Sequence, residues 1–322
     1  MTSSPSSQRA QNDAQHHHHY HHLVLIHGAW AGAWVWNAVT PLLEKVGYTV
    51  HAVDLPGNRG EIPPETVTLD LYCDYIQTKV LGPIFDQTQQ QQPQQQQQQP
   101  QQQGPKVTLV AHSGAGVIAL QLAENLGPGQ SLHSIVIVAG MLLPPSMTFS
   151  QFRALPSHER LPSKEPLELI FTSDGSLSTV TTTSAIQCFF QDLPTNMAQQ
   201  AAANLTAQPT GGLNICANYN PGTAEGGGTG GGRGGVRRTP ILYLEALRDA
   251  SVVLPLQRAM HRAFVQNMGP TTNNNNNNTK DHNLLTVMSI DTGHVPHVAQ
   301  PERFCQMVCD YIQSVSSSSS SS

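Results

Sequence analysis

A serine on a tight turn is the residue of this chain best suited to nucleophilic chemistry. In KVTLVAHSGAGVIALQLAE, residues 106–124, an apolar run ends at Ala111, small or polar residues follow, and an amphipathic helical pattern begins near Ala115. Ser113 falls on the strand-to-helix turn, which would expose its hydroxyl at the edge of a sheet with helix amides beneath it. Such a turn needs tiny neighbours because the backbones nearly touch. The usual G-x-S-x-G pattern reads here Ala111-His112-Ser113-Gly114-Ala115, followed by Gly116. A helix-capping serine fits the same local pattern, so the other residues decide.

A serine nucleophile needs a base to take its proton and an acid to orient that base. Leu247-Arg248-Asp249-Ala250-Ser251 follows one apolar run, and Asp291-Thr292-Gly293-His294-Val295-Pro296 follows the next. The order Ser113, Asp249, His294 therefore fits a nucleophile, an orienting acid and a base. His297 lies further into its loop, and His282 precedes its strand. Asp291 is the rival acid, three residues before the base; Asp249 is preferred because a loop acid there reaches the imidazole from the far side. Glu245 lies within a strand and reads as structural. After the first apolar run comes His27-Gly28-Ala29-Trp30, then Gly32-Ala33-Trp34-Val35-Trp36. Trp34 and Trp36 read as core; Trp30 reads equally as core or pocket wall.

These residues require elements to carry them. Six β-branched runs, 23–27, 48–54, 107–111, 134–139, 240–246 and 284–291, are mostly apolar throughout, as expected of parallel strands buried on both faces. Amphipathic helical stretches lie between them at 36–46, 68–80, 115–126, 252–266 and 301–313. This alternation predicts a doubly wound α/β sheet whose ligands bind beyond the carboxyl ends of the strands. The longest interval, 141–239, holds helical stretches at 151–158, 184–190 and 194–206, and a segment of that length in a compact fold predicts a cap.

Low-complexity tracts fall between elements. They are a Ser/Gln/His-rich tail 1–22, glutamines 87–105, glycines 222–235, asparagines 271–283 and serines 316–322. Without them about 250 residues remain, one α/β domain over 23–315. A loop lengthens at only about 0.6 kcal/mol per doubling, so the tracts are read as surface disorder without a chemical role. The histidines 16–19, 21 and 22 suggest only adventitious metal binding, and no metal or organic cofactor is expected.

Charged residues make up 11% and the net charge is −5, which gives no electrostatic reason to expect nucleic acid. The longest apolar run, 135–143, is nine residues, about half of what a bilayer requires. Residues 1–22 lack a basic head followed by an apolar stretch, so no signal peptide is expected. The five cysteines, 73, 188, 216, 305 and 309, are odd in number and scattered, consistent with a reduced, cytoplasmic compartment.

Taken together, these residues resemble the α/β-hydrolase superfamily, in the branch of plant methyl esterases, hydroxynitrile lyases and related microbial serine esterases. The likeness is carried by LVLIHGAWAGAWVWNAV, VHAVDLPGNRG, VTLDLYCDYI, LVAHSGAGVIALQLAE, IVIVAGMLLP, CFFQDLPTNMAQQAAANLTAQP, ILYLEALRDASVVLPLQRAM and GHVPHVAQPERF, in that order along the chain. It implies a six-stranded, mostly parallel sheet with a helical cap at 141–213. It also implies a Ser113–His294–Asp249 triad, with an oxyanion hole from the amides of Ala29 and Gly114. The activity expected is hydrolysis of small, largely apolar carboxylic esters. Trp30, His112, Phe149 and Phe152 are the pocket candidates, with Leu155, Phe189 and Met197 also shaping the cap. Lyase chemistry and a ligand-binding role are the alternatives. Relatives often carry glycine where Ala111 and Ala115 stand, and a polar residue, often histidine, where Ala31 stands. The lyases of this branch carry a lysine after the catalytic histidine and a threonine in the oxyanion loop; Val295 and Gly28 occupy those places here. Oligomeric state is not legible in the sequence.

Overall fold

The computed structural model describes residues 21–90, 104–156, 167–221, 235–268 and 284–319. The chain begins with β1 (His21–Ile26), α1 (Thr40–Lys45), β2 (Thr49–Val53) and α2 (Leu69–Ile76). A π turn (Gln77–Leu81) leads into α3 (Gly82–Gln90), followed by β3 (Lys106–His112), α4 (Ala115–Asn125) and β4 (Ser134–Val138). The next segment, called the cap below, holds α5 (Phe149–Arg153), β5 (Leu169–Phe171), β6 (Leu177–Val180), α6 (Thr182–Cys188), α7 (Thr195–Ala203), β7 (Gln208–Pro209) and α8 (Thr210–Leu213). The chain returns through α9 (Gly235–Arg238) to β8 (Ile241–Ala246), α10 (Leu254–Met268), β9 (Leu285–Ile290), α11 (Pro296–Ala299) and α12 (Pro301–Ser319).

The main sheet has the order β2-β1-β3-β4-β8-β9, and every neighbouring pair is parallel. This is the α/β-hydrolase fold. Its central strands are mostly apolar because alternate residues enter two different cores, while the edge strands β2 and β9 are partly exposed. Val24, Ile26, Leu109, Ile135, Ile137 and Tyr243 face α2, α4 and α10. Leu23, Leu25, Val110, Val136, Val138 and Leu242 face α1 and α12. The amphipathic stripe of α12 supplies Phe304, Met307, Val308, Tyr311 and Ile312 to that second core, at spacings of three, four and one along one helix face. Truncating a fully buried aromatic such as Phe304 costs about 3–5 kcal/mol.

Three expectations are corrected at element boundaries. β1 starts at His21, inside the stretch read as a tail, because His21 is buried and its Nε2 meets Thr108 Oγ1 at 2.9 Å. α3 runs to Gln90, into the stretch read as a glutamine insert, and α12 runs to Ser319 through serines read as a tail. There the Ser316 and Ser317 hydroxyls donate back to the carbonyls of Ile312 and Ser314, at 3.1 and 2.9 Å. The remainder of the tails, and most of the three inserts, lie outside the described residues.

The cap is not purely helical. β5, β6 and β7 form a small antiparallel sheet. Asp174-Gly175 sits in the turn between β5 and β6, with Gly175 at φ +70°, a hairpin signal that the sequence carried. All five cysteines are free thiols. Among the described residues, no helix is long and apolar enough to cross a membrane.

Candidate active site

β3 ends at His112, and Ser113 turns the chain into α4 in the left-handed region, at φ +54°. A non-glycine residue held there is strained, and the surroundings must fix it. They do so through backbone hydrogen bonds. Ser113 N donates to Val138 O at 3.1 Å, and Ser113 O accepts from Gly116 N at 3.2 Å and Met141 N at 2.9 Å. A Cβ on Gly28 would lie 2.8 Å from Ser113 Cβ, and one on Gly116 would lie 2.6 Å from Met141 O. The close approaches at this turn thus fall on glycines outside the five-residue motif. Ala111 and Ala115 are simply buried.

The other two residues come from adjacent strand ends. His294 follows β9 and Asp249 follows β8, and both are buried. His294 Nδ1 lies 2.8 Å from Asp249 Oδ2, and its Nε2 lies 3.2 Å from Ser113 Oγ. The carboxylate fixes the tautomer, with Nδ1–H donating and Nε2 left to accept from the serine hydroxyl. Asp249 is itself held: Oδ1 accepts from Ser251 N at 2.8 Å and Val252 N at 2.9 Å, and Oδ2 accepts from Gln257 Nε2 at 3.3 Å. Gln257, fully buried on α10, also accepts from Ala246 N at 3.1 Å and so ties the acid loop to the end of β8. The sequence offered one signal for it, a glutamine on an otherwise apolar helix face.

The rivals are placed elsewhere. The Asp291 side chain is 74% exposed and pairs with Arg248 at 2.8 Å. Glu245 is bound by Arg258, His261 and Ser289, as a structural acid. His297 packs against Trp36 with ring centroids 4.2 Å apart, and His282 lies outside the described residues. Burial pushes the His297 imidazole down to about 3 and holds that of His112 well below its ordinary value. Both rings are therefore neutral at neutral pH. His112 Nε2 donates to His294 O at 2.9 Å, bracing the backbone of that residue.

Ala29 follows β1 in a loop fixed by His27. His27 Nδ1 donates to Gly28 O at 2.8 Å, and its Nε2 accepts from Leu55 N at 3.1 Å. That bond holds the very peptide plane whose other end is the Ala29 N–H. Among the described residues, neither the Ala29 amide nor the Gly114 amide donates to any group.

Ser113, His294, Ala29 and Gly114 open into one cavity of about 550 Å³. Its wall is largely apolar: Trp30, Met141, Phe149, Phe189, Phe190, Leu205, Ile215 and Val295 contribute, with Tyr72 and Gln208 among the polar groups. Of the pocket candidates, Trp30, His112 and Phe149 line it. Phe152 does not. It is 1% exposed and belongs to the core beneath the sheet face, which corrects that expectation. Leu155 packs on the same core, and Met197 is exposed. Phe190, Gln208 and Tyr72 were not found from the sequence, since their approach to Ser113 depends on how the cap is seated. Among the described residues, no group of three or more His, Cys, Asp or Glu side chains could hold a metal ion.

The chain belongs to the alpha/beta hydrolase family, whose sequence profile matches residues 23–307. It is 25% identical over 297 residues to the pyrethroid hydrolase of Sphingobium wenxiniae, covering 90% of this chain and 86% of that protein. It is 31% identical over 157 residues to methylesterase 3 of Arabidopsis thaliana, covering 47% of this chain and about half, 51%, of the plant protein. Among solved structures, a pyrethroid hydrolase from Sphingobium faniae superposes with a TM-score of 0.66 at 23% identity, over 91% of this chain and 97% of that one. Polyneuridine aldehyde esterase superposes with a TM-score of 0.58 at 19% identity, over 90% and 98%. Family and relatives together support an enzyme of the carboxylesterase type.

Proposed function

We propose that this chain is a serine carboxylesterase working through Ser113, His294 and Asp249. The observation that carries the reading is the hydrogen-bonded series Ser113–His294–Asp249 at the floor of an apolar cavity. Ser113 Oγ attacks the ester carbonyl as His294 Nε2 takes its proton. The carbonyl oxygen becomes an oxyanion held by the amides of Ala29 and Gly114, donors that are already unpaired and so need no reorganisation. Collapse expels the alcohol, which leaves neutral with the proton from His294. Water then enters; His294 takes one of its protons as the oxygen attacks the acyl-enzyme, and Ser113 and the free acid are regenerated. Asp249 holds the imidazole throughout and stabilises its charged form.

A cavity of about 550 Å³ falls within the range that encloses drug-sized ligands. With its aromatic and aliphatic wall, this supports esters whose acyl and alcohol parts are both apolar, and it gives room for more than the small esters expected from the sequence. The pyrethroid hydrolase relatives make bulky apolar esters the natural first panel. Lyase chemistry is not favoured, since Val295 after His294 is apolar and buried and Gly28 has no hydroxyl. Five free thiols support a reducing, cytoplasmic setting.

The test is a kinetic panel of short alkyl, aryl and bulky bicyclic esters, run alongside mandelonitrile. Hydrolysis of apolar esters, abolished in Ser113→Ala, with no cyanide release above buffer, is expected. Cyanide release that depends on Ser113 would replace the esterase reading with the lyase one.

A further inference from the structure

Ala29 sits between two peptide planes, and each is gripped by a different part of the molecule. The plane before it is held from the sheet side by His27, through Gly28 O. The plane after it ends in the Trp30 amide, and that amide donates to Gln208 Oε1 of the cap at 3.1 Å. Gln208 lies 178 residues further along the chain, on the two-residue strand β7, and is 3% exposed. Its amide cannot be turned round, because the backbone N–H of Trp30 requires an oxygen. The other end, Nε2, then donates to the Tyr72 hydroxyl on α2 at 3.0 Å.

Trp30 needs this support. Its φ is +60°, in the left-handed region that a bulky side chain avoids. The cap meets it at two further points. Thr206 N donates to Trp30 O at 2.8 Å, and the indole Nε1 donates to Ser178 Oγ at 3.2 Å. Relaxation of Trp30 toward ordinary backbone angles would turn the 29–30 peptide and shift the Ala29 Cα that it shares with the 28–29 plane, and that shift would carry the Ala29 amide off the line to the reacting oxygen against the hold of His27.

We propose that Gln208 is a positioning residue for the oxyanion hole, the cap half of a clamp whose sheet half is His27. The proposal rests on the serine-esterase reading above. Gln208 touches no reacting atom; it acts through Trp30 on the aim of the Ala29 amide. The cap is thereby coupled to transition-state stabilisation as well as to substrate shape. Tyr72 orients Gln208 from α2, and Gly212 leaves room for the pair, since a Cβ there would lie 2.6 Å from Gln208 Nε2.

The experiment compares wild type with Gln208→Met, Gln208→Glu and Tyr72→Phe, each checked by thermal melting. Two quantities are read: the second-order rate of Ser113 labelling by a fluorophosphonate, whose P=O occupies the oxyanion hole, and kcat against KM on an aryl ester. Gln208→Met keeps the size but loses the acceptor, and should lower labelling and kcat together by about 10–100-fold with KM within about twofold. Gln208→Glu keeps an acceptor for Trp30 and lets the Tyr72 hydroxyl donate to it, so it should recover to within about fivefold of wild type. Tyr72→Phe should lower both rates by a smaller factor in the same ratio. Wild-type labelling and kcat in Gln208→Met, or a raised KM alone, would overturn the clamp while leaving the esterase reading intact. A Gln208→Glu variant as slow as Gln208→Met would contradict it equally. A wild-type Ser113 that does not react at all would remove the esterase reading and the clamp with it.

Discussion

The strand ends and the cap build the two sides of one cavity by different means. At the strand ends, Ser113, Asp249 and His294 are mounted on buried β3, β8 and β9 termini, with backbone amides and carbonyls taking most of the load. The cap makes its wall from side chains on short elements, and β5 leaves Leu169, Ile170 and Phe171 38%, 54% and 52% exposed. Backbone hydrogen bonds within a parallel sheet tolerate almost any apolar side chain, so the proposed reacting groups keep their places whichever apolar residues fill the core. Side-chain walls change with each substitution. The division suggests that chemistry is set by the strand ends and selectivity by the cap, and that Trp30, gripped by both, is where the two meet.

The most severe way to break this division is to remove a reacting group. Ser113→Ala and His294→Ala should each lower kcat by about 10⁴–10⁶-fold, the double variant little further, because the members act as a unit. Steady-state kinetics with a melting curve for each variant check this; a Ser113→Ala enzyme with near-normal turnover would end the assignment. Next in size is the contrast between two acids. Asp249→Asn should cost about 10³–10⁴-fold by presenting the wrong imidazole tautomer. Asp291→Asn loses only an exposed pair with Arg248 and should stay within about twofold. Equal losses in the two would mean that the orienting acid has been misassigned.

A third prediction concerns stability beneath the site. In the folded chain burial pushes His297 down to about 3 from an ordinary 6.5, so between those values the unfolded chain binds the proton and the folded chain does not. Stability therefore falls as pH drops below about 6.5, by about 2 kcal/mol at pH 5 from this group alone. His27 and His112, also lowered mainly by burial, act in the same direction. Urea melts at pH 7.5 and 5.0 should show the loss, and His297→Phe should make it smaller; an unchanged difference in His297→Phe would refute the role of that ring. The smallest effect belongs to the cap rim. Phe171→Ser should raise KM about threefold for a bulky aryl ester and leave an acetate ester unchanged, whereas a uniform change in kcat for both would blur the division between cap and strand ends.

Much of the site was legible because its residues follow apolar strands directly in the chain. Ser113, Asp249 and His294 each lie within a few residues of a β-branched run, so local pattern, chain order and the family resemblance pointed to them, and the structure brings the three into hydrogen-bond contact. Gln208 was not legible, since its partners Trp30 and Tyr72 lie 178 and 136 residues away; Gln257 bonds Ala246, Asp249 and Val252, all within 11 residues, and only its place on an apolar helix face marked it. Phe152 failed for a related reason: Phe149 and Phe152 share a five-residue helix, and only the packing of that helix decides which one faces the cavity. The sheet was readable from its apolar runs, while the small cap sheet was missed although Asp174-Gly175 marked its hairpin. Residue type alone misplaces the ends of β1 and α12, because runs of histidine and serine have the composition of a tail and only their bonding shows otherwise.

The proposed mechanism requires Ser113, and no other serine, to be an activated nucleophile. Mass spectrometry of the intact protein after brief exposure to a fluorophosphonate, followed by peptide mapping, tests it directly. One adduct on the peptide containing Ser113, lost in His294→Ala, is expected. An adduct elsewhere, or undiminished labelling of Ser113 without His294, would contradict it.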